Sequence, residues 1–164
     1  MPRSTPPRST LQGEIQKKRP FELAEQEAML NIVRTASALN TDFERLFRAH
    51  GLTDAQYNVL RILRGEGTRM PSLSIAQRTV TRVPDITRLV DRLENAGLVE
   101  RERCPEDRRV VYVSITRKGL RKLADLDEPV NTLHTRQLGH LSAKELATLS
   151  ELLVKARAPG DGAA

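Results

Sequence analysis

Apolar residues recur at intervals of three and four over most of this chain, and this spacing predicts amphipathic helices. One such run covers residues 21–51, a second starts at Thr53, and two more start at Thr116 and Ser142. Thr53 and Ser142 each precede a Gln or Glu by three positions, which completes a capping box at the start of a helix. Pro129 lies inside the third run, so we expect that helix to kink or to restart there. The pattern as a whole predicts a mainly α-helical protein.

The pattern changes in the middle of the chain, where the predicted elements are short. A loop over 64–71 is followed by a short helix over 72–79. The apolar residues of 84–97 are spaced i, i+3, i+4 and i+7, as in a helix that is buried on one face. Segments 98–103 and 108–115 then predict two strands of a small β-hairpin, the second rich in alternating β-branched residues. Helix, short helix, helix and hairpin in this order form a winged helix-turn-helix.

The helix over 84–97, with Pro84 expected at its first position, has a polar outward face. Once the apolar positions Ile86, Leu89, Val90 and Leu93 are turned inward, the residues on that outward face are Asp85, Thr87, Arg88, Asp91 and Arg92. The second helix of a helix-turn-helix enters the major groove of DNA, where Arg can contact guanine and Thr can contact several bases. Arg82, just before the helix, is placed for a phosphate. The alternative interpretation is an ordinary solvated charged face.

The turn of the hairpin carries Asp107, Arg108 and Arg109. A cationic tip on a narrow β-ribbon can enter the minor groove, whose negative potential attracts arginine. We expect Asp107 to pair with a neighbouring arginine and hold it extended. The alternative is that these charges only protect the strand edges from pairing with another chain.

Composition supports a polyanionic partner. The 164 residues carry a net charge of +6 and a pI near 10, whereas aromatic residues make up only 3% and Trp is absent, which argues against a single-strand binder. No apolar run is long enough to span a membrane, and the single cysteine, Cys104, excludes an internal disulfide. These features predict a cytoplasmic protein. Redox sensing by Cys104 is a lesser alternative, which rests on Arg101, Arg103 and Arg108 nearby, since such cations can lower the pKa of a thiol.

No catalytic set is recognisable in the sequence. His50, His134 and His140 do not combine with Cys104 in any zinc-motif spacing, and there is no Gly-rich phosphate loop. We therefore expect neither an enzyme nor a metal site or other cofactor.

Several motifs together resemble the MarR (multiple antibiotic resistance regulator) family. The sequence DRRVVYVSITRKG is similar to the wing signature of that family, which is Asp-x-Arg, a β-branched strand and Thr-x-x-Gly. LTDAQYNVLRIL resembles the family's second helix, and ITRLVDRLENAGLVER its recognition helix and first wing strand. The resemblance covers about 25–156. It implies a homodimer that binds palindromic double-stranded DNA, usually as a repressor and often released by a small-molecule effector.

The resemblance also assigns residues. Asp107 and Arg109 match the Asp-x-Arg pair with Arg108 between them, and Thr87 and Arg88 match groove-facing positions of the recognition helix. The sequence departs from the family where many members have a Ser or Thr cap, because Val83 and Pro84 stand there. Capping would then fall to Thr81 or to the Asp85 side chain.

These observations predict five regions: a flexible basic arm over 1–20, a dimerisation helix over 21–51, a winged helix-turn-helix over 52–118, two dimerisation helices over 119–157 and a frayed tail over 158–164. The terminal helices carry apolar stripes that a second copy would bury, although they could instead complete the core of one chain. The protein is predicted to be a dimeric, sequence-specific DNA-binding transcriptional regulator. It is expected to act as a repressor that a small ligand releases from DNA. The alternative is a winged-helix adaptor that binds proteins and not DNA.

Overall fold

The computed structural model describes residues 10–107 and 109–158. These residues form seven helices and three strands, in the order α1 (Leu11–Glu14), α2 (Ala24–Ala49), α3 (Asp54–Glu66), β1 (Met70–Pro71), α4 (Ser72–Gln77), α5 (Ile86–Asn95), β2 (Val99–Arg103), β3 (Val111–Ile115), α6 (Arg117–Leu138) and α7 (Ala143–Arg157). The chain divides into two compact units, Met1–Asp42 and Phe43–Ala164. The mainly helical fold with a small β-hairpin is the one that the sequence predicted.

The N-terminal unit contains a turn of helix that the sequence pattern did not predict. Thr10 caps α1 by accepting a hydrogen bond from the Gly13 N–H, and Leu11 is buried. Arg34, on α2, pairs with Glu14 at 2.9 Å from Nε to Oε2. The expected flexible arm therefore does not extend unstructured to residue 20. Its first nine residues lie outside the part of the chain that the structure describes.

The core of the C-terminal unit follows the predicted apolar positions closely. Val59, Leu60 and Leu63 of α3 are essentially inaccessible to solvent, and they pack with buried residues of α4, α5, β3 and α6. The capping box at Thr53 and Gln56 is present, with both reciprocal hydrogen bonds. Local periodicity and capping thus define α3, and the other elements of the winged helix-turn-helix pack against it.

The sheet has three strands in the order β1-β3-β2, all antiparallel. The predicted hairpin is confirmed, with Val99 opposite Ile115 and Arg103 opposite Val111. The additional strand β1 lies in the segment predicted as a loop over 64–71, where Met70 pairs with Val113 and is buried. Two residues, one of them a proline, are too few to produce a strand pattern, so this pairing is visible only in the tertiary structure.

The sequence predicted a kink or a restart at Pro129, and the restart is wrong, because helix α6 is continuous from Arg117 to Leu138. The proline removes one backbone hydrogen bond, but Leu126 and Val130 on either side of it are buried in the core. Asp127, expected at a new helix N-terminus, instead accepts two hydrogen bonds from the Arg64 guanidinium of α3, at 2.7 and 2.8 Å. Packing on both sides of the proline offsets the lost bond.

The start of α6 lies directly against the ends of the hairpin. The Thr116 hydroxyl accepts from the Gly119 N–H and donates to the Gly97 carbonyl, at 3.1 and 2.8 Å. A Cβ at Gly119 would come within 2.3 Å of the Leu98 carbonyl oxygen and 2.7 Å of Ile115 Cγ1. The Thr-x-x-Gly sequence therefore joins the wing to α6 by a cap and by a close backbone approach.

Both ends of the described chain present apolar side chains to solvent. Helix α7 has no buried residue, and Leu146, Leu149 and Leu152 on it are exposed. In the N-terminal unit, Met29 and Val33 of α2 are also exposed. Within the described residues, none of the helices is both long and apolar enough to cross a membrane.

Candidate nucleic-acid interface

Helix α5 is anchored by its apolar face, as the spacing of its residues predicted. Leu89, Val90 and Leu93 are buried in the core, whereas Ile86 is only half-buried at the rim. The opposite face, with Thr87, Arg88 and Arg92, is exposed. An exposed polar face on a rigid helix is the arrangement that base reading requires.

The N-terminus of α5 is capped by Asp85, one of the two candidates that the sequence left open. One carboxylate oxygen accepts the Arg88 N–H at 3.0 Å. Pro84 consequently lies one position before the cap, and its predicted place inside the first turn is wrong. Val83 is half-buried against the core. Val83 therefore anchors the entry to the helix, and Asp85 supplies the cap that a Ser or Thr would otherwise give.

The arginines at this end of α5 remain accessible. Arg88 has 79% of its side chain exposed, and its Nε lies 3.3 Å from the second carboxylate oxygen of Asp85. This is a loose surface ion pair of a kind that contributes little to stability. Arg82, before the helix, is also exposed. Both cations can therefore reach a polyanion without first leaving a buried site.

The wing turn is organised by Asp107. Its carboxylate accepts the backbone N–H of Arg109 at 2.9 Å, and its carbonyl accepts the Val110 N–H at 3.0 Å. In the described residues this carboxylate bonds to the backbone of its own turn and not to the Arg109 guanidinium, because a short Asp side chain reaches its own turn easily. The expected pairing with a neighbouring arginine stays a prediction for Arg108. Arg109 is exposed at the tip. Arg108, also predicted to contact DNA, lies outside the described residues.

An ion-pair cluster that the sequence analysis missed connects the wing with α5. The Arg101 guanidinium of β2 contacts Glu94 through Nε at 2.8 Å and Asp91 through Nη1 at 2.5 Å. The hydrogen bond from Arg101 lowers the pKa of Glu94, and the same bond raises the pKa of Arg101. Asp91 and Glu94 are three apart on a helix, which was the available signal, but their partner is on another element.

Two of the three histidines and the cysteine that the sequence analysis considered as ligands or sensors lie in ordinary packing and hydrogen-bonding environments. The ring of His134 lies 4.8 Å from that of Phe43, and His50 Nδ1 is 2.9 Å from the Leu46 carbonyl oxygen. Cys104 is half-buried at the end of β2, where its N–H donates to the Val110 carbonyl. Within residues 10–107 and 109–158, His, Cys, Asp and Glu side chains form no group able to hold a metal ion.

A mainly apolar groove of about 520 Å³ lies within the N-terminal unit. It is lined by residues of α1 and α2 and the residue that follows α1, namely Leu11, Ile15, Leu30, Val33, Arg34, Ser37 and Ala38. A cavity of this size can hold a small organic molecule, with the Ser37 hydroxyl and the paired Arg34 as its polar groups.

Comparison with known proteins places this geometry among transcription factors. The sequence model of the MarR family matches residues 52–111. A crystal structure of a MarR transcription factor from Planctomyces limnophilus is 47% identical with a TM-score of 0.65, and the match covers 82% of this chain and 98% of that one.

Two further relatives are informative. The structure of a mutant MarR from Escherichia coli complexed with operator DNA is 28% identical with a TM-score of 0.67, covering 80% of this chain and 96% of that one. The HTH-type transcriptional repressor IacR from Pseudomonas putida is 29% identical over 122 residues, which are 74% of this chain and 72% of that protein. These similarities agree with the winged helix-turn-helix described above.

Proposed function

Since this chain belongs to the MarR family of transcriptional regulators, we propose that it binds double-stranded DNA as a homodimer and recognises a palindromic operator. The observation that supports the proposal best is the presence of two exposed cationic elements, α5 and the wing tip, on one winged helix. Membership of a family of regulators also confirms that the protein is not an enzyme.

In the proposed complex, α5 lies in the major groove. Thr87 and Arg88, in its first turn, contact base edges, and Arg92 one turn later contacts the groove wall or a phosphate. Arg82 precedes the Asp85 cap and contacts the backbone. The exposure of all four side chains and the burial of Leu89, Val90 and Leu93 on the opposite face support these roles.

The wing reaches the adjacent minor groove in this proposal. Arg109 is the exposed cation at its tip, and Asp107 acts indirectly by bonding to the backbone of the turn that presents it. Arg108, on the same turn in the sequence, is proposed as a second minor-groove cation. Bonding the carboxylate to the turn leaves the Arg109 guanidinium available for DNA.

A second copy of the chain completes the proposed regulator. None of the apolar side chains on α7 is buried within its own unit, and several on the first half of α2 are exposed as well. Two-fold pairing through such stripes removes them from water and places two recognition helices one helical turn of DNA apart, about 34–36 Å. A palindromic operator follows from that symmetry.

We further propose that the protein is a repressor and that a small, mainly apolar molecule releases it. The similarity to a protein named as a repressor supports the first part. The groove lined by Leu30, Val33 and Ser37 supports the second, because Val33 belongs both to the groove and to the exposed apolar side chains of α2 that are proposed for dimerisation. Occupation of the groove would then alter the spacing of the two recognition helices.

The test is a binding measurement with duplexes selected by the protein from a random pool. Wild type is expected to enrich a palindrome, to protect it in footprinting, and to lose affinity linearly in a log–log plot against salt concentration. Arg109→Ala is expected to weaken binding at least tenfold while circular dichroism and dimer mass stay unchanged. A protein-binding adaptor would enrich no sequence, and that result would contradict the proposal.

A further inference from the structure

The wing is weakly anchored along its length. In β2 only Val99, at the base, is buried, and in β3 only Val113 is. Between the distal part of the ribbon and α5 there is an open cleft of about 280 Å³, lined by Glu94, Arg101, Arg103 and Val111. Apolar packing therefore fixes the base of the wing and leaves the direction of its tip to other contacts.

Arg101 spans that cleft. Its guanidinium contacts two carboxylates that are one turn apart on α5, with Nε and Nη2 on Glu94 and Nη1 on Asp91. About a third of the side chain is exposed, and the two carboxylates are similarly accessible. A planar guanidinium that binds two carboxylates on one rigid helix is restricted in both position and orientation.

A second contact holds the other side of the ribbon. Arg69, just before β1, pairs with Glu102 and lies over the Tyr112 ring at 4.8 Å. This contact joins the wing to the edge strand and does not involve α5. Among the ion pairs in the part of the chain that the structure describes, those of Arg101 join the recognition helix to the middle of the wing.

We infer that Arg101, together with Asp91 and Glu94, is a positioning group that sets the wing tip relative to the recognition helix, so that both can contact DNA at once. The inference rests on the proposed DNA binding. Arg101 itself does not read DNA in this arrangement, because its hydrogen-bond donors are directed at carboxylates. The cluster acts through Arg109, which it holds at the correct distance from α5.

Electrostatics alone predicts the opposite result, and this makes the inference testable. Asp91→Asn with Glu94→Gln removes two negative charges from the helix proposed to bind DNA, which by itself would strengthen binding to phosphates. If the cluster positions the wing, the same change weakens binding to the selected operator by about tenfold, because the wing contact is then made by a less ordered ribbon.

The experiment compares operator affinities of wild type, the Asp91→Asn/Glu94→Gln variant and Arg101→Lys, each alone and combined with Arg109→Ala. Arg101→Lys keeps the charge but cannot bind both carboxylates in one plane, so it is expected to lose affinity as well. In the Arg109→Ala background both changes are expected to have almost no further effect. Circular dichroism and dimer mass verify that each variant is folded.

Three results would overturn the inference. Unchanged or tighter binding by the Asp91→Asn/Glu94→Gln variant would show that the carboxylates only repel DNA. Full affinity in Arg101→Lys would show that charge alone matters, and losses that add completely to that of Arg109→Ala would place the effect away from the wing. A wild-type protein that enriches no operator would overturn the proposed function, which is a distinct outcome.

Discussion

At the scale of single residues, Gly119 shows how a short motif depends on a contact distant in sequence. A side chain there would meet the Leu98 carbonyl oxygen, which cannot move away by changing a rotamer. We predict that Gly119→Ala lowers the free energy of unfolding by about 1–3 kcal/mol or more, despite the better helix propensity of alanine.

Gly65 provides the matched control for that substitution. It lies in α3 with open space around the position of a Cβ, so Gly65→Ala is expected to raise the free energy of unfolding by about 0.5–1 kcal/mol. Denaturant unfolding at one protein concentration measures both variants. Equal stability of Gly119→Ala and wild type would show that α6 and the hairpin can separate without cost.

Arg88 and Arg82 are expected to act differently on DNA although both are exposed cations. Loss of a base contact costs about 1–3 kcal/mol at one position, whereas loss of a phosphate contact weakens all sequences and lowers the salt slope by about 1. Arg88→Ala should therefore reduce the difference in affinity between operator and random DNA. Arg82→Ala should lower the affinities for both duplexes by the same factor. Affinities measured at several salt concentrations distinguish the two roles. If Arg88→Ala lost the same affinity for operator and for random DNA, the proposed contact of Arg88 with a base edge would be contradicted.

At the scale of elements, the ion pair between α3 and α6 links stability to pH. The hydrogen bonds from Arg64 lower the pKa of Asp127, so the pair stabilises the folded protein above the ordinary aspartate pKa of about 3.9. This contribution is lost as the pH falls through the lowered folded-state value. Because both side chains are over a third exposed, it is expected to be at most about 1 kcal/mol.

Asp127→Asn is accordingly predicted to reduce the free energy of unfolding at pH 7 and to become indistinguishable from wild type in strong acid. Asp125→Asn is the control, since Asp125 is exposed two residues earlier on the same helix. Urea unfolding across a pH series measures the difference. A difference that persists unchanged below pH about 2 would mean that packing, not charge, links the helices.

At the scale of the whole molecule, the prediction concerns the proposed dimer. Helix α7 contributes no buried residue to its own unit, so deletion of everything after Ala143 should remove interface and little core. We expect a monomer or an aggregate, because the deletion removes part of the proposed interface and exposes the apolar surface that α7 would cover in the dimer. A well-behaved dimer from this truncation, measured by sedimentation, would exclude α7 from the interface.

A single substitution tests the same surface more gently. Leu149→Glu places a charge in the apolar stripe of α7 and is expected to shift the mass toward one chain. Lys144→Glu, about 140° around the helix, is the control and should leave the dimer intact. Equal behaviour of the two variants would place the contact elsewhere on the molecule.

The sequence by itself determined the longer helices, the two capping boxes and the winged helix-turn-helix order. These features are local: a helix reveals its buried face through spacings of three and four, and Thr53 and Ser142 cap helices through residues only three positions away. The exposed positions of Thr87 and Arg88 follow from the same periodicity. Their contact with DNA remains a prediction.

Only the tertiary structure decided which distant residues meet. Met70 lies in a strand because it pairs with Val113 of β3. Helix α6 is uninterrupted at Pro129 because packing on both sides offsets one missing hydrogen bond. Arg101 found its two carboxylates on another element, seven and ten positions away. Such pairings leave no periodic signal, because their energy comes from spatial neighbours that the order of residues along the chain does not specify.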